Sequence, residues 1–376
     1  MSGKAWREAE ELQRTRSWSA AGVAWMDIAE RAMEKGDLAR AQEAGSRAGD
    51  AWRREDRPPL AARALKLAWD AGRRGCIDAA LLAGVLLDAG QADVALDIVA
   101  PAGDTLDLGT PDARAVLLDV RLGLHLALGS VEAAREDLAA LEVLAVPGGE
   151  ISRVFRQAQL DRLDGLMERA DLGFKAAVTA LGSIAGPPGI AAGPMAAAMA
   201  ERGELALLCA ALGHGSAADA IVHLEGALAG WRTAARAGPA MRAQAWLLRA
   251  QAICGEPVLA APILDWAAGA DERGLPLLAA DLRVCYAVAS GDASGLHEVA
   301  ATLERAPLGQ GRVRVIHAEL GGGREADLDS ALNALAADSP WFARGLRVLG
   351  TRENDAGMLA EAEARIAMFF AEDFMR

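Results

Sequence analysis

The side chains able to do chemistry are sparse in this chain and lie far apart. Its five histidines, His125, His214, His223, His297 and His317, show no His-Glu-x-x-His spacing that would set two imidazoles on one helix face around a zinc ion. His317-Ala318-Glu319 supplies the His-x-Glu half of a site for a metal-activated water, but the Pro-Cys-x-x-Cys that would complete the ligand set is absent. Cys76, Cys209, Cys254 and Cys285 have no Cys-x-x-Cys spacing, so they read as buried, reduced thiols and not as a zinc knuckle or a disulfide framework. Gly213-His214-Gly215 is a fragment of a dinucleotide-binding loop, yet it follows helical periodicity where such a loop must follow a strand. No Gly-Lys-Ser/Thr closes a phosphate loop, no Gly-x-Ser-x-Gly marks a nucleophile elbow, and no Asp-Asp-x-x-Asp cluster offers magnesium to a diphosphate. The remaining acidic residues are spread singly along helix faces, where solvation and pairing one turn away account for them. The expectation is a chain with no catalytic residue, no metal site and no cofactor, and hence not an enzyme.

The frame that positions these residues reads as helical throughout. Apolar residues make up 52% of the 376 residues but aromatics only 4%, so the interior must be filled by Ala, Leu and Val. Small side chains of high helix propensity permit close helix approach, and no stretch alternates as a strand would. Lysine occurs only at Lys4, Lys35, Lys66 and Lys175, and this Arg-dominated, Ala- and Gly-rich usage fits a GC-rich bacterial genome. The net charge of −13 argues against nucleic acid, whose phosphates require a Lys/Arg stripe. Residues 1–75 nevertheless hold fifteen basic against twelve acidic residues, either an ordinary surface fluctuation or a contact face for an acidic partner. The opening MSGKAWREAEELQR is charged and lacks the apolar core of a signal peptide, so a cytoplasmic location is expected. Ala176 to Ala200 carries no charge, but Gly-Pro pairs interrupt it, and no membrane span is expected.

Repetition organises the chain into about twenty helices joined by short turns. The clearest unit is SWSAAGVAWMDIAERAMEKG followed by DLARAQEAGSRAGDAWRRED. Trp25, Ile28, Ala29 and Ala32 share one helical face, Gly36-Asp37 makes the turn, and Ala41, Gly45, Ala48 and Trp52 line the returning helix. This unit resembles a tetratricopeptide repeat: bulky knobs flank small residues where two helices cross. It departs from that pattern at Arg53, where a terminating proline is usual; Pro58 and Pro59 come later, so the second helix is expected to run long. Less specific versions of the phrase surround Gly90, Gly129, Gly213 to Gly215, Gly255, Gly291 and Gly321 to Gly323, with turns roughly 31 to 42 residues apart beyond Gly90 except for a double interval between Gly129 and Gly213. The resemblance implies an all-α fold, a right-handed α-solenoid of antiparallel helix pairs.

The Gly/Pro-rich segment 183–195 is the best break in the array, either a hinge or a long inter-helix loop. It divides an N-terminal lobe, residues 1–185, from a C-terminal lobe, residues 186–354. Residues 355–376 read as an amphipathic helix that caps the last repeat or is offered to a partner groove or a second copy, with Phe370 and Phe374 among its bulkiest residues.

The resemblance implies that the first helix of each pair lines the concave face along which partner peptides lie. On the first repeat this mapping nominates Val23, Met26, Glu30, Met33 and Glu34; on later ones it nominates Asp119, Arg242, Arg249 and Asp281. The Lys/Asn clamp for a C-terminal carboxylate is not reproduced there. Elsewhere that face is mostly Ala, Gly, Leu or Val. It suits an apolar segment whose polarity Arg242 and Arg249 would fix through carboxylates, or else it simply packs against neighbouring helices. The expected function is a protein–protein interaction scaffold, with a peptide- or small-molecule-sensing module as the alternative.

Overall fold

The computed structural model describes residues 3–72, 75–100, 110–144, 146, 149–184, 191–303, 307–337 and 339–370, and among them it contains twenty α-helices and no strand. The chain separates into two compact units. The first comprises Met1–His125 with Ala139–Val146 and Ala270–Leu277; the second comprises Leu126–Leu138, Pro147–Gly269 and Leu278–Arg376. The helices are α1 (Gly3–Arg14), α2 (Trp18–Glu34), α3 (Leu38–Arg54), α4 (Pro58–Asp70), α5 (Cys76–Asp88), α6 (Ala92–Val99), α7 (Pro111–Leu128), α8 (Val131–Leu144), α9 (Gly149–Leu163) and α10 (Met167–Gly182). They continue as α11 (Ala192–Ala211), α12 (Ala217–Thr233), α13 (Ala237–Ile253), α14 (Ala261–Glu272), α15 (Pro276–Ser290), α16 (Leu296–Thr302), α17 (Pro307–Glu319), α18 (Glu325–Ala334), α19 (Pro340–Glu353) and α20 (Ala356–Phe369). None of the helices is long and apolar enough to cross a membrane, counted over the described residues.

In the first unit, α2 buries Ala21, Gly22, Trp25, Met26, Ile28, Ala29 and Ala32, and α3 answers with Ala41, Ala44, Gly45, Ala48, Gly49, Ala51 and Trp52. The crossings are too close for larger residues. A Cβ on Gly22 would lie 2.6 Å from the Trp52 indole nitrogen, and one on Gly49 would lie 2.6 Å from Leu65 Cγ. The turn after α2 is set by local chemistry. Gly36 adopts φ +70°, its N–H donates to Met33 O at 3.0 Å, and the Asp37 N–H donates to Ala32 O at 2.9 Å, which satisfies the last carbonyls of the helix. Asp37 then caps α3 by accepting from the Arg40 N–H. α3 ends at Arg54, and Pro58 opens α4, where a missing N–H costs nothing.

In the second unit α9 packs on α10, α10 on α11, α11 on α12 and α12 on α13, while α17 packs on α16, α18 and α19, and α19 on α20. The segment between α10 and α11 falls inside this unit; its residues 185–190 lie outside those described. The last pair of helices is fastened to the α11 end and the α9–α10 turn. Arg347 on α19 donates to the carbonyls of Ala211 and Leu212 at the end of α11. Phe370 stacks on His214 with ring centroids 3.9 Å apart, and Phe369 fills the space beside Gly165, which has no side chain to oppose it.

Candidate functional site

Most of the residues expected on a partner-binding face in the first unit are already engaged within the fold. Met26 is only 7% exposed and belongs to the core, because α2 buries a wider stripe than the repeat pattern anticipates. Glu30 is paired across to α4 by Arg63 at 2.6 Å, and Met33 packs against the small cluster of Ala32, Ala41 and Ala71. Val23 is 62% exposed, Glu34 is exposed, and Asp119 is half-buried on α7. Phe370 is held by His214, and Phe374 lies outside the described residues.

Arg242, Arg249 and Asp281 belong together in the second unit, where they join a larger polar network. Asp281 on α15 accepts from Arg242 Nε at 2.6 Å and from the Trp246 indole N–H at 2.8 Å, and the Arg242 guanidinium lies 4.7 Å over the Trp246 ring. Arg249, one helical face along α13, is half-buried and reaches the Cys285 thiol. A second knot joins α9, α11 and α17. Arg162 Nη1 lies 2.6 Å from Glu201 Oε2 and donates to Glu204 Oε2 at 2.7 Å; Arg312 stands 3.5 Å from Glu204 Oε1. Gln159 donates to Glu201 Oε1 at 2.9 Å. Five helices, α9, α11, α13, α15 and α17, thus send charged side chains toward one region.

The two knots share one electrostatic field. Burial alone would raise the Glu204 carboxyl, but Arg162, Arg312 and Arg242 together hold it down at about 2. Burial pulls Arg312 below the usual arginine range, and repulsion from Arg162 and Arg242 offsets part of what Glu204 and Glu201 give back. Arg242 is raised instead, chiefly by Asp281. Burial and the neighbouring Asp281 push the Cys285 thiol upward, and burial pushes Cys209 up to about 12, so neither is a thiolate at neutral pH. Cys76 and Cys285 are buried as expected, Cys209 is half-buried, and Cys254 at the end of α13 is exposed, contrary to expectation.

This network can grip a carboxylate or hold helices together, but it offers no acid–base pair. Its carboxylates accept from arginine, indole or glutamine N–H groups, and Glu204 stays ionised far below neutrality. The half-motif at His317 has no free carboxylate either, because Glu319 takes both its hydrogen bonds from Arg344. Among the described residues no group of three or more His, Cys, Asp or Glu side chains could hold a metal ion. Arg162, Glu201, Glu204 and Arg312 escaped the sequence reading. Glu201 and Glu204 stand one turn apart, and Arg162 and Arg312 also lie on first helices of pairs, the positions that nominated Arg242. No family model matches the chain, and no curated protein matches it either.

Proposed function

We propose that this chain is a non-catalytic scaffold, a right-handed solenoid of antiparallel helix pairs in the tetratricopeptide manner, that binds a carboxylate-bearing segment of a partner protein. The observation that carries the reading is the state of Arg242. Its Nε edge is fixed by Asp281 and its plane by Trp246, yet 53% of the side chain stays accessible. A guanidinium held along one edge keeps its Nη groups for bidentate capture of a carboxylate, with little rotamer freedom left to lose on binding. Exposed Val222, Ile253 and Leu259 on the same unit supply apolar area for a segment that is not wholly polar.

Tagged full-length protein incubated with native-host extract tests this. The wild type should retain a partner that Arg242→Gln binds at least about tenfold more weakly, as loss of a charge-assisted hydrogen bond predicts, with unchanged circular dichroism. Equal retention by both proteins, or by neither, overturns the reading. The sensing alternative draws on the convergence of five helices, since a ligand that competes for Asp281 or Glu204 would be felt at every one of them.

A further inference from the structure

A narrow cavity of about 20 Å³ lies in the second unit against the knot of α9, α11 and α17, lined mainly by leucines together with Arg162, Glu204, Arg312, Ser339 and Trp341. From its donor set we infer that it is a site for a monovalent halide, chloride under ordinary conditions.

The polar groups of its wall are overwhelmingly hydrogen-bond donors. The Nε atoms of Arg162 and Arg312 are buried and have no partner. The cavity also meets the start of α19, where Ser339 caps the helix by accepting from the Phe342 N–H at 3.2 Å, which leaves its hydroxyl proton free to donate. At a helix start the backbone N–H groups of the first turn point outward, and the helix dipole adds partial positive charge. Glu204 shares the wall, but both of its oxygens face cations: Oε2 accepts from Arg162 at 2.7 Å, and Oε1 lies 3.5 Å from the Arg312 guanidinium. The volume suits one particle of about water size and excludes sulfate, phosphate or a carboxylate ligand. The leucine lining, with Leu163, Leu208, Leu308 and Leu335, favours an ion that gives up its hydration readily. The same ion would complete the coordination of Arg312, whose nearest carboxylate oxygen, Glu204 Oε1, stands 3.5 Å away.

Arg242 does not line this site and acts on it only through the field it shares with Glu204 and Arg312. The test is thermal unfolding of the full chain at constant ionic strength in sodium gluconate, with chloride or bromide replacing gluconate stepwise. A saturable rise in Tm of about 3 °C at 100 mM halide is expected for a weak site that binds only the folded state. Leu335→Phe, which fills the cavity without touching a charge, should abolish the rise, and bromide-soaked crystals should place an anomalous peak between Arg162 and Arg312. Equal Tm in gluconate and halide, a halide effect that survives Leu335→Phe, or a bromide peak elsewhere overturns the assignment. Should Leu335→Phe fail to fold, the wild-type titration and the bromide peak decide alone.

Discussion

Three arginines of the first unit, Arg40, Arg47 and Arg54, lie over tryptophans near the surface, while Arg162 of the second turns inward onto carboxylates. Arg40 and Arg47 sit over the Trp6 ring at 5.0 and 5.2 Å, and Arg54 sits over Trp18 at 4.7 Å. Arg47 also pairs with Glu43 and Glu10 and keeps 33% of its side chain exposed, whereas Arg162 keeps only 11% and shares its charge between Glu201 and Glu204. Similar helices therefore support two regimes of charge. At the surface, water screens each pair and makes it replaceable; within the knot a few buried charges share one another as partners, so losing one leaves the rest poorly balanced.

The sharpest way to break this contrast is to remove one cation from each region. Arg162→Met leaves Glu201 and Glu204 facing each other in the interior and should cost about 3–5 kcal/mol in urea unfolding, whereas Arg47→Gln should cost less than about 1 kcal/mol. Equal losses would erase the distinction.

Acid should act next most strongly, and through the second unit. Because the folded pKa of Glu204 is about 2 against an ordinary 4.5, its contribution is complete above pH 4.5 and disappears as pH falls toward 2. The depressed His223 and His317, lowered first by burial, act in the same direction as pH drops below 6.5. Unfolding free energy followed from pH 7 to 3 should decline by about 2 kcal/mol from the Glu204 step, and Glu204→Gln should flatten that lower limb. An identical decline in the variant would place the acid sensitivity elsewhere.

The smallest expected effect concerns packing in the first unit. Gly22→Ala improves helix propensity but drives a methyl group into the Trp52 ring, so a net loss of about 1–3 kcal/mol is expected by thermal unfolding. A gain in stability would show that Trp52 yields without cost.

The sequence carried the helices well because their signals are local. Gly36 and Asp37 stop one helix and start the next through bonds spanning five residues or fewer, and the small faces of α2 and α3 follow directly from residue spacing. Turns without glycine were harder to recognise: Asp56 and Ala235 adopt φ of +49° and +53° and close the same bonds with residues that rarely take that conformation. The polar network was only half readable. Arg242 and Asp281 emerged because both occupy first helices of repeat-like pairs. Arg162 and Glu204, 42 residues apart, looked like ordinary surface charges, since nothing within one turn of either reveals a partner on another helix. Met26 failed for the opposite reason, because helix periodicity places it beside the inner face while the width of the buried stripe is decided by neighbours.

The tie between Arg347 and the end of α11 bears on how the chain is made. Ribosomal synthesis delivers α11 well before α19, so the carbonyls of Ala211 and Leu212, and the seats beside Gly165 and His214, wait for residues that emerge much later. The second unit can therefore finish folding only once α19 and α20 have left the ribosome, and a premature stop codon within either helix would leave α9 to α12 without these contacts.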